Sequence, residues 1–517
     1  MKTPILSDYL LQHFDKQSPG PSNQQLYRLL RKAILDRVLQ VDARLPSSRD
    51  LARELATCRN TVLYAYDQLR AEGYIEGRSG SGTFVTDTAP QEGALNQTPM
   101  SHAPLGAQVA PILSRRGQEL VAHAGAAAQQ WGPFVPGVPD VVQFPHQTWS
   151  RIQKKVWRRP SPDSLTYAQG GGYLPLRVAL ADYLKVARCI DCSPEQVVIT
   201  TGIHQSIDLC MRLLSDPGDL AWVEDPCYWG TRNLLRASGL NIRPVPVDAE
   251  GMCPGPADFA AVPRFIFLTP SHQYPLGMVM SLARRRLLLE YASRNDCWII
   301  EDDYDSEFRY NGRPLAPLQG LDSAERVIYL GTFSKTLYPG LRVGYLVLPR
   351  ALVRSFVTGV NELHRAGTIQ TQATLAEFIT EGFFTSHIRR MRTTYARRLG
   401  LLQQLINKRF DPSVVQTIGS DAGLHLVLQL PDYCNDQELA AKATHAGVAV
   451  RPLSLYYHDA TRSAQGLLLG YACVHESQIA PAFEVLARHI EHELWNKPAP
   501  LSRNDAEYRA SRNKAVL

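Results

Sequence analysis

Four side chains with reactive or charged groups follow two apolar segments in the second half of this 517-residue chain. Asp302 and Tyr304 lie just after CWIIE, and Lys335 and Arg342 lie in SKTLYPGLR, just after VIYLGTF. These residues supply an amine, a carboxylate, a phenol and a guanidinium. Together they suit a small molecule that carries both a reactive carbonyl and a phosphate.

Pyridoxal phosphate requires this set of groups. It needs an amine for a Schiff base, an anion beside its pyridinium nitrogen, a donor near its phenolic oxygen and a cradle for its phosphate. Taken singly, the residues have simpler interpretations, because Lys335 can be a solvated loop residue and the aspartates around Asp302 can cap a helix. The combination favours a cofactor site.

The segments around these residues alternate between apolar, β-rich runs and helical stretches. Runs that are apolar on both faces indicate strands covered by helices on two sides, and therefore an α/β sandwich. Ligands in such folds bind where strands end, which is where Lys335 and Asp302 are expected. The runs are Val197–Thr200, Phe265–Leu268, Trp298–Ile300 and Val327–Leu330.

A second functional region is predicted near the N-terminus. Apolar residues at helical spacing predict a first helix from Leu26 to Val38, a second helix in RLPSSRDLARELA that Ser47 can cap, and a third in RNTVLYAYDQLRA. Gly73 ends the third helix, and the turn RSGSG predicts a β-hairpin wing. This order is typical of a winged helix-turn-helix, in which the start of one helix meets DNA bases. A protein-docking module with a solvated arginine face is the alternative.

Composition indicates an ordinary globular chain of more than one domain. Hydrophobic residues make up 44%, and no segment approaches the roughly 18 to 20 apolar residues of a membrane-spanning helix. A cytoplasmic location is therefore expected, and nine cysteines without a signal peptide favour reduced thiols. The pair Cys189 and Cys192 lacks the second pair of a zinc site, so no metal is expected. The net charge of +6 permits nucleic-acid binding without requiring it.

Changes in composition divide the chain into four predicted regions. A DNA-binding domain is expected at residues 20–88, a linker rich in Pro, Gly, Ala and Gln at 89–125, a cofactor domain at 126–494 and a disordered tail at 495–517. Within the cofactor domain, a large part is expected at about 150–350 and a small part at about 360–494.

The motifs resemble two known families. LPSSRDLA, RNTVLYAYDQLRAEGYI and GSGTFV resemble the GntR-type winged-helix domain, and EDPCY, TPSHQYPLG, EDDYDSEFRY and GTFSKTLYPGLRVGY resemble fold-type I aminotransferases. Both together, over roughly residues 20 to 490, resemble the MocR subfamily of GntR transcription regulators. The resemblance implies a multidomain chain, in which a mostly α winged helix-turn-helix precedes an α/β fold-type I aminotransferase-like domain that binds pyridoxal 5'-phosphate.

The resemblance also implies roles for individual residues around the cofactor. Lys335 would form the Schiff base, Asp302 would hold the pyridine nitrogen protonated, and Tyr304 would hydrogen-bond the phenolic oxygen. Tyr228 would stack on the ring, and Tyr167 would reach the phosphate of a partner subunit, so a homodimer is expected. The phosphate cradle, built partly on a helix start, would comprise Gly202, Ile203, His204, Thr332, Ser334 and Arg342.

Contacts between the N-terminal domain and double-stranded DNA are likewise implied. Arginines would supply the salt-dependent attraction to phosphate, and side chains at a helix start would supply sequence preference. The residues expected at this interface are Arg49, Arg59, Asn60, Thr61, Tyr64, Arg78, Gly80 and Gly82.

Two features depart from an aminotransferase, and a third departs from some MocR regulators. LLLGYA carries Leu468 where those enzymes usually place an arginine that binds the substrate carboxylate, which removes a bidentate clamp. Arg451 is the expected replacement in an effector site, against the alternative of a structural arginine. His272 and Gln273 stand where those enzymes place an asparagine beside the ring, and His272 is expected to contact the cofactor. Gly230 stands where some MocR regulators carry another arginine.

The combined patterns favour a transcription regulator that senses pyridoxal phosphate itself, or an amine or amino acid that reacts with it. Coupling would be a population shift in how the DNA-binding domains are presented. The alternative is an active aminotransferase with an accessory DNA-binding domain, because the groups for a half-reaction are present. A cofactor-free scaffold is disfavoured because Lys335, Asp302, Tyr304 and Arg342 are all retained.

Overall fold

A computed structural model of the chain describes residues 4–15, 20–87, 113–122, 131–158, 160, 162–166, 170–310, 316–364, 367–419, 421–459 and 463–496. The backbone divides into two units, Met1–Ile112 and Leu113–Leu517. Most of the predicted linker and almost all of the predicted tail lie outside the described residues. No described helix is both long and apolar enough to cross a membrane.

Within its described residues, the N-terminal unit combines four helices with a three-stranded antiparallel sheet. Its elements are α1 Pro4–His13, α2 Ser22–Leu35, β1 Arg44–Leu45, α3 Ser48–Glu54, α4 Arg59–Ala71, β2 Ile75–Arg78 and β3 Gly82–Val85. Helices α2 and α4 bury their apolar stripes in one shared core, which includes Leu30 and Leu69. The Ser47 side chain accepts a hydrogen bond from the Asp50 N–H and caps α3. The three predicted helices are therefore present.

The predicted wing is a hairpin of β2 and β3, extended by the short strand β1 in the order β1-β3-β2. Gly82 begins β3 at φ +116°, and a Cβ atom there would lie 2.9 Å from Nε of Arg44. Glycine is therefore the residue that both the backbone and the neighbouring side chain allow. Strand β1 was not predicted, because two residues carry no periodicity.

The C-terminal unit is built on an eight-stranded sheet. Its strands are β4 Val197–Thr200, β5 Leu220–Asp225, β6 Asn241–Asp248, β7 Gly251–Met252, β8 Phe265–Leu268, β9 Trp298–Asp303, β10 Val327–Thr332 and β11 Gly344–Val347. Their order is β4-β11-β10-β9-β8-β5-β6-β7, in which β11 and β7 run in the direction opposite to the other six strands. The four predicted apolar runs coincide with β4, β8, β9 and β10. Val198 and Ile199 of β4 enter different core clusters, as expected of a strand covered on both faces.

Thirteen described helices surround this sheet and a smaller one. They are α5 Arg115–Ala122, α6 His146–Arg158, α7 Pro162–Leu165, α8 Leu174–Arg188, α9 Ile203–Leu214, α10 Trp229–Ala237, α11 Leu282–Arg294, α12 Leu318–Leu321, α13 Val353–His364, α14 Ile369–Thr380, α15 Phe383–Arg409, α16 Asp436–His445 and α17 Glu476–Asn496. The longest, α15, has 27 residues.

A four-stranded antiparallel sheet forms the small part of the C-terminal unit. Its strands are β12 Gln416–Ile418, β13 His425–Gln429, β14 Arg451–Pro452 and β15 Gly466–Gly470, in the order β12-β13-β15-β14. Residues alternate between its two faces. Leu467 and Leu469 enter the large core, whereas Val427 and Leu468 enter a separate cluster that contains Leu276.

A wholly buried arginine joins α15 to two distant segments. Arg398 donates to Oδ2 of Asp140 at 2.8 Å and to the Ala472 carbonyl. The Asp140 N–H donates to the Tyr395 hydroxyl, also at 2.8 Å. Because water is excluded, the guanidinium depends on these partners for its solvation.

Replacing Asp140 by Ala should lower the free energy of unfolding by about 3 kcal/mol, because the buried Arg398 loses one of its two carboxylate partners and keeps only Glu476, 3.4 Å from its Nε. Denaturant titration measures the change. Glu290→Ala removes an exposed partner of Arg294 and should cost less than about 1 kcal/mol. Equal effects of the two substitutions would contradict this account.

Candidate functional site

Lys335 lies just beyond β10, at the edge where the parallel strands end. Its Nζ donates to the Gly137 carbonyl at 2.8 Å. Burial lowers the pKa of the Lys335 amine, while the carboxylates of Asp305 and Asp302 oppose the fall. An amine that loses its proton more readily is a better nucleophile.

Asp302 lies near the end of β9, directly beside β10. It pairs in register with Leu330, so the two strands end close together. Burial, reinforced by Asp303, raises the pKa of Asp302 to about 7, and Lys335 opposes the rise. Its Oδ1 is buried and has no hydrogen-bond partner within the described part of the chain. Such an oxygen is stabilised by a ligand that brings an N–H donor.

The predicted phosphate cradle forms at the start of α9. Gly202 precedes this helix at φ +123°, and a Cβ atom there would lie 3.6 to 3.7 Å from the guanidinium of Arg342. The N–H groups of a first helical turn lack intrahelical acceptors, and an adjacent guanidinium adds positive charge. Ser334 directly precedes Lys335 in the chain, and its N–H donates to Oγ1 of Thr332 at 3.1 Å. Ile203 and His204, the first residues of α9, belong to the same group.

Tyr228 lies beside this cradle at the start of α10. Its hydroxyl is 3.2 Å from Nε2 of His204. Its ring packs so closely over Gly230 that a Cβ atom at that position would lie 2.4 Å from Cε1 of Tyr228. Position 230, where some MocR regulators carry an arginine, therefore has no room for a side chain while Tyr228 keeps this conformation.

The centre of the site is an aromatic cluster that the sequence did not reveal. The Tyr274 ring centroid lies 5.2 to 5.8 Å from those of Tyr228, Tyr304, His425 and Tyr456. The Tyr274 hydroxyl is 3.3 Å from that of Tyr456. These rings come from five separate segments and together form an aromatic wall. In the sequence, only the adjacent tyrosines in SLYY indicate an aromatic surface.

His272 and Gln273 differ in their surroundings. The Nδ1 atom of His272 lies 2.9 Å from the Tyr304 hydroxyl and 3.1 Å from both carboxylate oxygens of Asp305. Gln273 instead donates from Nε2 to the carbonyls of Pro226 and Tyr274, at 2.8 and 2.9 Å. His272 therefore belongs to the polar network of the site, whereas Gln273 holds the neighbouring backbone.

Arg451 and Leu468 are directly opposite each other in the small sheet. Opposed residues of an antiparallel pair project from the same face. Leu468 is fully buried beside Tyr456, and Arg451 is half-buried. Burial raises the pKa of Tyr274 and of Tyr456, and the Arg451 charge opposes both shifts. Arg451 thus lies on the strand next to Leu468, the position where aminotransferases usually carry the arginine that binds the substrate carboxylate.

The predicted DNA contacts lie in the N-terminal unit. Arg49, Arg59, Asn60 and Tyr64 are exposed on α3 and at the start of α4, with Thr61 half-buried. Nε of Arg59 donates to Oγ of Ser48 at 3.3 Å, which joins the two helices of the motif.

The wing carries Gly80 and Gly82, both exposed. Arg78, the last residue of β2 before the turn, donates to Asp42 at 2.5 Å and to Glu76 at 2.7 Å. The charge of Arg78 is thus neutralised by two carboxylates of the same unit, which the sequence did not indicate. Tyr167 lies outside the described residues.

The residues of the C-terminal site fit pyridoxal phosphate. The orphaned Asp302 oxygen suits a pyridinium N–H, and the Lys335 amine suits a carbonyl. The start of α9, which follows Gly202 and lies beside Arg342, suits a phosphate.

Comparisons with known proteins agree with this assignment. Residues 144–485 match the family model for aminotransferase class I and II, and residues 22–85 match that for bacterial regulatory proteins of the gntR family. The chain is 40% identical over 461 residues to the probable rhizopine catabolism regulatory protein MocR of Rhizobium meliloti, covering 89% of this chain and 91% of that protein. The chain belongs to the MocR subfamily of GntR regulators.

Another relative of this MocR-type chain is the HTH-type pyridoxine biosynthesis transcriptional regulator PdxR of Corynebacterium glutamicum, 32% identical over 86% of this chain and 91% of that protein. Among solved structures, a Pyrococcus horikoshii kynurenine aminotransferase is 25% identical, with a TM-score of 0.67 over 75% of this chain and 99% of that one. The predicted fold class is confirmed, and pyridoxal phosphate is the cofactor that this fold implies.

Asp302→Asn should stabilise the cofactor-free protein at high pH. Because the folded pKa of about 7 exceeds the usual 3.8, the folded state binds more protons than the unfolded state between these values. Stability therefore falls as pH rises through that window. The variant should melt above wild type at about pH 8 and approach it near pH 4. With pyridoxal phosphate added, the order at pH 8 should reverse, since the variant lacks the anion. Unchanged melting in both states would contradict the assignment.

Proposed function

We propose that this MocR-type chain is a transcription regulator whose N-terminal unit binds double-stranded DNA and whose C-terminal unit senses pyridoxal phosphate, an amine or an amino acid. The observation that carries the proposal is the orphaned Asp302 oxygen beside Lys335, in a chain that also has a helix-turn-helix. Relatives named as regulators match along both units. A cofactor site joined to a DNA-binding motif suits ligand-dependent control of DNA binding better than catalysis alone.

In the proposed site, pyridoxal phosphate supplies a carbonyl that reacts with amines and a ring that withdraws electrons. Lys335 provides the amine that holds it, Asp302 keeps the ring nitrogen protonated, and Tyr304 donates to the phenolic oxygen. Tyr228 covers the ring. The phosphate is held by Gly202, Ile203, His204, Thr332, Ser334 and Arg342.

We further propose a homodimer, with Tyr167 of one subunit at the phosphate of its partner. Support comes from large apolar side chains on both sides of position 167. Trp157 is 51% exposed, Leu165 59% and Leu174 52%. Exposed apolar groups so close in sequence are typical of an interface.

Arg451 is the proposed anchor for an effector carboxylate. Its register opposite Leu468 and its charge beside Tyr274 and Tyr456 support this role. A guanidinium beside an aromatic wall can bind a carboxylate through two N–H groups. Effectors that also carry an amine for the cofactor carbonyl would then span from Lys335 to the small sheet.

Replacing Arg451 by Gln should weaken binding of amino acids that carry a carboxylate by about 10- to 100-fold, because one charge-assisted contact is lost. Simple amines should be affected little. Spectral titration of the cofactor-loaded protein measures both. The exposed Arg294, replaced by Gln, is the control. Equal weakening of amines and amino acids would show that Arg451 is structural.

The DNA-binding proposal predicts that Arg59→Ala with Asn60→Ala lowers affinity for DNA upstream of the protein's own gene by at least about tenfold, through lost phosphate and base contacts. The control is Arg53→Ala, which changes an exposed arginine of α3 that is paired with Asp50.

The sensing proposal predicts that Lys335→Ala retains DNA binding without cofactor but loses its response to pyridoxal phosphate. Electrophoretic mobility shifts at fixed salt report all three. Absence of site-specific binding by wild type would overturn the proposal. Steady turnover with an amino donor and a keto acid would instead support the aminotransferase alternative.

A further inference from the structure

A buried polar triad adjoins the proposed cofactor site. It consists of Tyr304, His272 and Asp305, whose exposed fractions are 8%, 2% and 1%. Nδ1 of His272 is the shared atom, at 2.9 Å from the Tyr304 hydroxyl and 3.1 Å from each Asp305 oxygen. Because all three groups are enclosed, the direction of each hydrogen bond is set by the others.

Elementary donor and acceptor rules fix these directions. The Asp305 carboxylate can only accept, so the hydrogen of the imidazole must lie on Nδ1. An Nδ1–H that faces both groups also donates to the Tyr304 oxygen. The hydroxyl hydrogen of Tyr304 cannot then point to Nδ1, and it is left for another acceptor. Without Asp305, the opposite arrangement would be equally available, with Tyr304 donating to Nδ1.

The other ring nitrogen of His272 is enclosed. Nε2 is buried without a hydrogen-bond partner in the described part of the chain, and a Cβ atom at Gly277 would lie 3.0 Å from it. A hydrogen there would be an unsatisfied buried donor, which favours the tautomer that carries its hydrogen on Nδ1.

Several titratable groups surround the triad. The His425 ring lies 5.4 Å from that of His272. Burial lowers the pKa of His425 to about 3, so it is neutral. Tyr274 packs against both His425 and Tyr304. The acidic and basic groups close to Tyr304 or Asp305 include Glu224, Asp302, Glu307 and Lys335.

We propose that His272 is a positioning residue for Tyr304: oriented by Asp305, its Nδ1–H donates to the Tyr304 oxygen and so directs the Tyr304 hydroxyl hydrogen toward the phenolic oxygen of bound pyridoxal phosphate. The inference rests on the cofactor site proposed above and adds a role for His272, one of the two residues that stand where aminotransferases place an asparagine. An asparagine amide nitrogen lies at the same distance along its side chain as Nδ1 of histidine, so the two residues can supply the same donor.

The test is a pH titration of the visible absorbance of the cofactor-loaded protein. A hydroxyl that donates to the phenolic oxygen stabilises that oxygen as an anion, so losing the donor raises the midpoint of the titration. Tyr304→Phe sets the full effect, expected at about one pH unit. His272→Phe and Asp305→Asn should shift the midpoint in the same direction although Tyr304 is present. The asparagine at position 305 offers both a donor and an acceptor, so the hydrogen is no longer forced onto Nδ1, and Tyr304 can then donate to Nδ1 instead of to the phenolic oxygen.

His272→Asn is the matched rescue variant, and its midpoint should stay within about 0.3 pH unit of wild type. Thermal melting and DNA binding of each variant establish that it is folded, and Asp305→Asn serves if His272→Phe is not. Wild-type midpoints in both His272→Phe and Asp305→Asn, beside a shifted Tyr304→Phe, would overturn the inference alone. A wild-type protein that shows no visible band with added pyridoxal phosphate would overturn the cofactor proposal with it.

Discussion

The ends of the adjacent parallel strands β9 and β10 place an acid and an amine in the same water-poor region, and the rest of the site is arranged around that constraint. A buried carboxylate destabilises a fold unless it is neutralised, paired or hydrogen-bonded. The pKa of Asp302 rises for this reason, as do those of its neighbours Glu301 and Glu307. A ligand with a protonated ring nitrogen relieves this cost, so the stability of the C-terminal unit is coupled to cofactor binding.

Strand ends could be predicted from the sequence because they depend on local patterns. Runs apolar on both faces mark β9 and β10, and the functional side chains follow them directly. The same holds for α4, whose buried stripe fixes which residues face outward. The aromatic wall could not be predicted, because Tyr274, His425 and Tyr456 lie in segments about 30 to 180 residues apart in the chain, and only tertiary packing joins them. Asp305 was visible in EDDYD, yet nothing local distinguished it from helix capping.

Arg451 shows how register can supply what a motif lacks. By motif, Leu468 marks the loss of a carboxylate clamp. In the sheet, β14 and β15 pair so that Arg451 stands opposite Leu468 on the same face. A cross-strand partner can therefore provide a guanidinium near the same volume from a different point in the chain. This exchange can be recognised only when the strand pairing is known. Strand β14 is too short for its residues to show the alternation that identifies a strand in the sequence.

The contact between Tyr228 and Gly230 bears on how this site can diversify. An arginine at position 230 would need Tyr228 and His204 to move together, because a Cβ atom at 230 would lie 2.4 Å from one and 2.9 Å from the other. Point mutation at 230 alone is thus a poor evolutionary route to a second carboxylate anchor. Ligand preference in this lineage should change first along the small sheet, where the half-buried Arg451 stands opposite Leu468.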